Sequence, residues 1–518
     1  MTLRTILYVI LGALASIIFL IYWKLIRPSK RLYDIYRKQG ISCEPFVPLL
    51  GQMLDLYRVS QNDTAIDYRW KLVQKHGYTY GIGFGPMINL LIMEPDLLAD
   101  VFGRSHAQYY IKPIVTKTLK PLIGTRNLLV SEGDEHERAR KMLNPAFHFV
   151  KLQSMIPIMV QQTHKAIDEL LSCSSQCQVI NLQKELTALT LAIIAAGAFG
   201  KDFEATKGSK EIVCRAFTEM LNAITYRTMR LIDSIPIISQ LPFWYKDVID
   251  RDSQAISNFV DQIIADRQQK RSMSLTTTDD LLDLLLSAVD SEGRSFDDQE
   301  IKDQALTFVL AGHETTGNLM IWVVYVLMTN EKVLQACQEE VDRVLPNGTE
   351  LTNEHLNQMP VCEAVLQETL RLYPSAPFIT RRCAREHHIG SEGERQILVP
   401  VGAELTVNTY ILHRREEYWP RANEFDYTRW MRDPVTDLKP KLAHPFCYLP
   451  FAAGPRNCIG QNFALLEARV MLALLVQRCN FELEPGQKIV PDIHIAMRPK
   501  YGLRARVTRR IRERIFSS

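Results

Sequence analysis

Polarity changes most abruptly at the start of the chain. Ile6 to Trp23 is a run of 18 residues without a charged side chain, enough helix to cover about 27 Å at ~1.5 Å per residue. Lys24, Arg27, Lys30 and Arg31 follow the run, whereas Arg4 alone precedes it. Basic flanks stay on the cytosolic side. The pattern therefore predicts a single-pass anchor over residues 1–27 with a cytosolic body, in a bilayer as thin as that of the endoplasmic reticulum. A cleaved signal would carry a shorter apolar core and a small-residue cleavage site. Residues 28–53 read as a proline-containing lead-in, extended over Ile41 to Met53, where two prolines and a glycine oppose a helix. Tyr78 to Met93 alternates around Gly85-Pro86 as strand, turn, strand.

From about Asp134 to Leu345 apolar positions recur with helical spacing, most clearly over Leu182 to Phe199, Ala255 to Lys270 and Phe296 to Thr329. Short strands are expected again near Gln396 to Leu405 and in the C-terminal region. The predicted fold is mainly α with small β-sheets, a single catalytic domain over residues 54–518 behind the anchor, without internal repeats.

Composition narrows the class. Across 518 residues, 47% hydrophobic and 23% charged side chains support a sizeable core. A net charge of +3 argues against a dedicated nucleic-acid binder. The ten cysteines contain no C-x-x-C pair, which fits reduced thiols in a reducing compartment. Cys173-x-x-x-Cys177 lacks a histidine set and reads as a loop without metal. The basic tail RARVTRRIRER reads as a solvated terminus. Ser234 to Tyr245, apolar but interrupted by prolines, could be core or an interfacial membrane contact.

LAGHETTG, Leu310 to Gly317, sets polar groups inside an apolar helix. It is not a zinc-protease H-E-x-x-H, because Gly317 stands where the second histidine would be. Thr307, Ala311 and Thr315 share one face, with Gly312 beside it. A second constellation is Phe451-x-x-Gly454-x-Arg456-x-Cys458-x-Gly460, just ahead of an apolar helix. A helix N-terminus favours a thiolate. Glycines permit close backbone approach to a flat cofactor, the phenylalanine can shield the sulfur, and the arginine can meet a carboxylate.

These residues resemble those of the cytochrome P-450 haem-thiolate monooxygenases, and the likeness runs from the anchor to the C-terminal RPKYGL. The resemblance implies that Cys458 ligates the iron of haem b. It also implies that Glu314 and Thr315 are the acid and alcohol that deliver protons during dioxygen cleavage, with Ala311 and Gly312 leaving room above the iron. Glu368 and Arg371 of QETLRLYP and Arg429 of FDYTRW would form a buried structural lock. Tyr427, Thr428 and Trp430 depart from the family's usual wording there. Arg140 and Arg381 would bind haem propionates, and His136 takes the place of a frequent tryptophan. Many fatty-acid ω-hydroxylases carry a haem-esterifying glutamate where this chain has Ala311, so the haem is expected to be held noncovalently apart from the cysteine–iron bond.

The implied reaction places one oxygen atom of dioxygen in a lipophilic substrate, of fatty-acid, sterol or xenobiotic type. Electrons would come from NADPH through a separate cytochrome reductase, and cytochrome b5 is a second expected partner, because no nucleotide-binding module follows the catalytic body. Membrane lipid surrounds the anchor, and no nucleic acid is involved. The wording is nearest to microsomal fatty-acid and sterol hydroxylases. Alternatives are a haem-thiolate isomerase or dehydratase acting on a lipid peroxide, which has no need of the acid–alcohol pair, and a noncatalytic haem-binding protein.

Overall fold

The computed structural model describes residues 3–103, 105–174, 179–199, 209–230, 232, 239–272, 280–346, 349–391, 395–493 and 496–511. The apolar run forms helix α1 (Leu3–Ile21), whose side chains are almost all exposed. It continues through one π-turn, Tyr22–Ile26, into α2 (Arg27–Lys38). The expected lead-in is thus helical over its first part. Pro28 sits in the first turn of α2, where its missing N–H costs no hydrogen bond, and so does not break the helix. The helix is moored to the body. Tyr36 is fully buried, Ser29 donates to the Pro86 carbonyl, and Gln39 exchanges two hydrogen bonds with the Leu398 main chain at 3.2 and 2.6 Å. Beyond α2 the chain is extended, with single bridges from Cys43 to Gly81 and from Gly51 to Phe84.

The alternating segment is a hairpin of β1 (Thr79–Phe84) and β2 (Met87–Ile92), closed at Gly85 with φ +59°. Three further strands complete its sheet: β3 (Tyr110–Ile111), β4 (Phe378–Cys383) and β5 (Glu404–Asn408), in the order β1-β2-β5-β4-β3. The β2–β5 pair is parallel and the β5–β4 pair antiparallel. Sequence reading missed β4, because arginines interrupt its apolar alternation.

The remaining body is helical, as expected from the periodicity. The helices that position the site are α3 (Pro95–Phe102), α4 (Gly133–Leu143), α5 (Leu182–Phe199), α6 (Lys246–Ser272), α7 (Asp298–Thr329), α8 (Pro360–Leu372) and α9 (Gln461–Arg478). Helix α7 starts in a capping box between Asp297 and Glu300 and is buried all round from Leu319 to Val324. It packs against α5 and α9 through the middle of the body. A Cβ at Gly312 would lie 3.0 Å from Ile194, and one at Gly317 would lie 3.1 Å from the Thr190 hydroxyl, so both glycines admit α5. Helix α5 is apolar enough to cross a membrane, but it is mostly buried and serves as core.

Candidate active site

Cys458 lies on a tight loop that precedes α9. Its N–H donates to the Phe451 carbonyl at 2.9 Å, closing the loop around the turn Gly454–Arg456. Gly454 has φ +73°, and any side chain there would collide with the Phe102 carbonyl at the end of α3. Its role is backbone packing against α3, not the approach to a flat cofactor expected from the sequence. Gly460 provides the N-cap of α9, and a Cβ there would sit 4.0 Å from the Cys458 sulfur. Phe451 is half-buried against the main core.

The Cys458 side chain is exposed. Even so, its surroundings are dense enough that burial pushes its thiol up, against the pull of the Gly460 N–H and the positive charge of Arg140. Sequence reading expected the helix end to favour the thiolate outright. Burial opposes that pull and is the larger influence on the thiol.

Ala311 shows the same signature, an exposed residue in a helix whose preceding turns are buried. The Thr315 hydroxyl donates to the Ala311 carbonyl at 2.7 Å, the back-bond open to any helix threonine. It keeps its acceptor lone pairs for a water or ligand. The Thr315 carbonyl accepts from Ser375 at 2.9 Å. Glu314 points elsewhere: its carboxylate accepts from Asn318 at 3.2 Å and lies 4.0 Å from both Arg498 and His313. Gly312 turns its hydrogen toward Ile194, so its missing side chain serves the α5 contact and not the space above the iron. His313 is buried, with Nδ1 at 2.9 Å from the Val309 carbonyl, and burial lowers its pKa.

A group of cations gathers around Arg381. Arg381 on β4 is buried and, among the described residues, hydrogen-bonded only to the Thr380 carbonyl, at 3.0 Å, with its guanidinium 5.3 Å over the Phe102 ring. Arg456 donates to the Ser131 carbonyl at 2.7 Å and pairs with Glu132, yet its Nη1 is buried without a partner among the described residues. Burial lowers Arg381 to about 10, Lys112 to about 7 and His136 to about 4, and mutual repulsion with Arg456 adds to each shift. Glu132 is the carboxylate that offsets this charge, and it also accepts the Lys112 main-chain N–H at 2.6 Å. Sequence reading found neither Lys112 nor Glu132, because no spacing marks them.

Buried cations this short of counter-charge are costly unless an anion joins them. They fit the two carboxylates of a haem, and the accessible Cys458 sulfur fits its iron. Arg140, expected to bind a propionate, instead donates to the Asn457 carbonyl and side chain at 2.7 and 2.9 Å and to Asn144 at 3.1 Å. These bonds fix the loop that presents Cys458.

Glu368 and Arg371 on α8 are both fully buried and joined through two hydrogen bonds, of 2.9 and 2.7 Å. Arg371 also donates to the carbonyls of His413, Ala422 and Glu424 at 2.7–3.0 Å. Glu368 accepts from the Trp430 indole at 2.9 Å and the Asp426 N–H at 3.0 Å. Arg429 comes within 3.4 Å of Glu368 without forming a hydrogen bond, and its guanidinium donates instead to the Arg421 carbonyl at 3.1 Å. Trp430, a departure from the family's wording, thus supplies a direct bond that Arg429 does not.

Comparison with known proteins agrees with this architecture. The family described as Cytochrome P450 matches residues 41–503. Relatives include 11-oxo-beta-amyrin 30-oxidase of Glycyrrhiza uralensis, 29% identical with 92% of each chain covered, and Cytochrome P450 4X1 of Homo sapiens, 28% identical with 84% of each covered. The crystal structure of the cytochrome P450DA heme domain shares the fold. Its TM-score is 0.76 at 23% identity, over 91% of this chain and 98% of that one.

Proposed function

The chain belongs to the cytochrome P450 family, a haem-thiolate monooxygenase that carries haem b ligated by cysteine, and from that premise we propose that it oxidises a lipophilic substrate drawn from the endoplasmic reticulum membrane. Cys458 is the proposed iron ligand, supported by its accessible sulfur at the start of α9. Arg381, Arg456 and Lys112 are the proposed partners of the haem carboxylates, with Arg456 offering its unpaired Nη1. Bound through a thiolate, haem supplies the one-electron and dioxygen chemistry.

The residues above the cysteine then have defined tasks. Ala311 leaves space for small reactants, and Thr315 holds an ordered water against its hydroxyl. Glu314 supplies protons from the side of Arg498 and Asn318, where it meets more polar surroundings. The electron donor proposed is NADPH-cytochrome reductase, with cytochrome b5 as a second donor.

The observation that carries the lipophilic reading is the exposure of Leu241, Phe243, Trp244 and Tyr245, in a segment whose flanking Ser239, Gln240 and Lys246 line one cavity with Trp23, Leu25 and Leu32. Arg227 holds the main-chain carbonyls of Ser239, Phe243 and Trp244 at 2.8, 3.2 and 3.2 Å, so these side chains are presented outward. The part of this segment over Ser234 to Ile238 lies outside the described residues, and its exposed part favours the membrane. Incubating the reconstituted enzyme with a lipid extract, reductase and NADPH, then reading products by mass spectrometry, tests this reading. Products that gain one oxygen atom on lipophilic molecules are expected, and turnover confined to water-soluble compounds would contradict it.

A further inference from the structure

A cavity of 1160 Å³ lies between the end of the anchor and the catalytic body, and neither Cys458, Ala311 nor Thr315 lines it. One wall runs from Trp23 to Leu32. The opposite wall is the sheet, through Ile88 of β2, Arg382 of β4 and Glu404 of β5, and the third includes Lys120, Arg227 and Lys246. Strand alternation separates it from the haem site: Arg381 faces the haem side and its neighbour Arg382 faces this cavity.

Its charge is one-sided, since Glu404 is the only acid among the described residues that line it. Some of the facing cations are accounted for. Arg227 holds main-chain carbonyls, Lys246 pairs with Asp250, and Arg27 stacks 3.9 Å over the Trp23 ring. The side chains of Lys24, Arg31, Lys120 and Arg382 have no hydrogen-bond or ion-pair partner among the described residues.

Depth is fixed as well. Ser29, Tyr36 and Gln39 moor α2 to the body, and the helix runs unbroken back to Trp23, an aromatic residue at the end of the apolar span. Tryptophan at that position marks the headgroup layer of a bilayer. Unpaired lysines and arginines at that depth, with an apolar wall of Leu25, Leu32 and Ile88, are complementary to an anion carrying acyl chains.

We propose that this cavity binds the acidic headgroup of a membrane lipid, which ties the anchor to the catalytic body and sets the body's tilt on the bilayer. The inference rests on the anchor reading and is independent of the substrate. Full-length protein in nanodiscs of phosphatidylcholine, with or without phosphatidylserine, tests it by native mass spectrometry of retained lipid. The wild type should retain phosphatidylserine about ten-fold over phosphatidylcholine. The double variant Lys120→Gln/Arg382→Gln should lose most of that preference, and a control with the same charge change on an exposed loop, Lys439→Gln/Lys441→Gln, should keep it.

An unchanged reduced carbon-monoxide spectrum verifies the fold of each variant, and Lys120→Gln alone, at an exposed position, serves if the double variant takes up no haem. Equal retention in wild type and double variant overturns the proposal, and so does equal loss in the control. So does displacement of the lipid by a long-chain carboxylate with a Soret shift, which would make the cavity a substrate mouth. Failure to associate with pure phosphatidylcholine would sink the anchor reading instead.

Discussion

Two sets of buried arginines in this enzyme have opposite fates. Arg371 spends its guanidinium on Glu368 and on the carbonyls of His413, Ala422 and Glu424. Arg381 has one carbonyl and an aromatic face, and Arg456 keeps a buried nitrogen unpaired. The fold completes the first set by itself, so its work is structural. The second set is left for a ligand to complete, and it is where we propose that the haem carboxylates bind. Saturation of hydrogen bonds, more than residue type or burial, separates the two roles.

Breaking the first set should have the largest effect. Glu368→Ala leaves Arg371 buried without its carboxylate, a cost of about 3–5 kcal/mol, and the expected outcome is loss of recoverable haem protein in expression trials. A wild-type yield with an unchanged melting temperature would remove the structural claim.

The second set should respond differently. Arg381→Met removes one cation from a repelling group, so the haem-free protein should unfold at the same or a higher denaturant concentration. Haem should nevertheless transfer to a scavenger protein about ten-fold faster, through loss of a charge-assisted hydrogen bond of ~1.5–3 kcal/mol. Slower transfer, or wild-type transfer with a less stable apoprotein, would merge the two sets into one.

The contrast also shows what could be read without coordinates. Long amphipathic and apolar runs announced helix α1, the hairpin and helices α5 and α7, because their pattern is local. The Cys458 loop and the Glu368–Arg371 pair were legible because glycines, arginine and cysteine stand at fixed short spacing. Lys112 and Glu132 were not, since the fold brings them to Arg381 and Arg456 from distant segments. Arg140, Gly312 and Gly454 stand out in the sequence, and their contacts within the protein are with Asn457, Ile194 and Phe102. A short motif names the residue, and only packing decides whether it faces a ligand or the neighbouring backbone. Trp430 was visible merely as a departure, and its indole bond to Glu368 explains how the departure is accommodated.

Thr315→Ala sharpens the account above the iron, with an effect of several-fold on efficiency and little on folding. Haem content and reduction should persist, while product formed per NADPH oxidised falls and hydrogen peroxide rises. An unchanged ratio would leave Thr315 with its back-bond to Ala311 as its whole role.

The effect confined to the narrowest conditions, a window of pH, concerns Lys112. Burial, with Arg381 and Arg456, holds it to about 7 in the haem-free fold, against the usual 10.5. Between those values the unfolded chain carries the extra proton, so haem-free stability should rise with pH across the window. Haem carboxylates favour the charged amine, so haem affinity should fall as pH rises above 7. Lys112→Met should flatten both trends in denaturation and haem-transfer measurements, and trends that survive in the variant would assign them to another group.

The central claim is that Cys458 supplies the thiolate of this monooxygenase, and the reduced carbon-monoxide spectrum of Cys458→Ser tests it most directly. Folded variant protein should lose the thiolate-type Soret band, although haem still binds through the cations around Arg381 and Arg456. A variant with the wild-type band would show that another residue holds the iron, and would contradict the account.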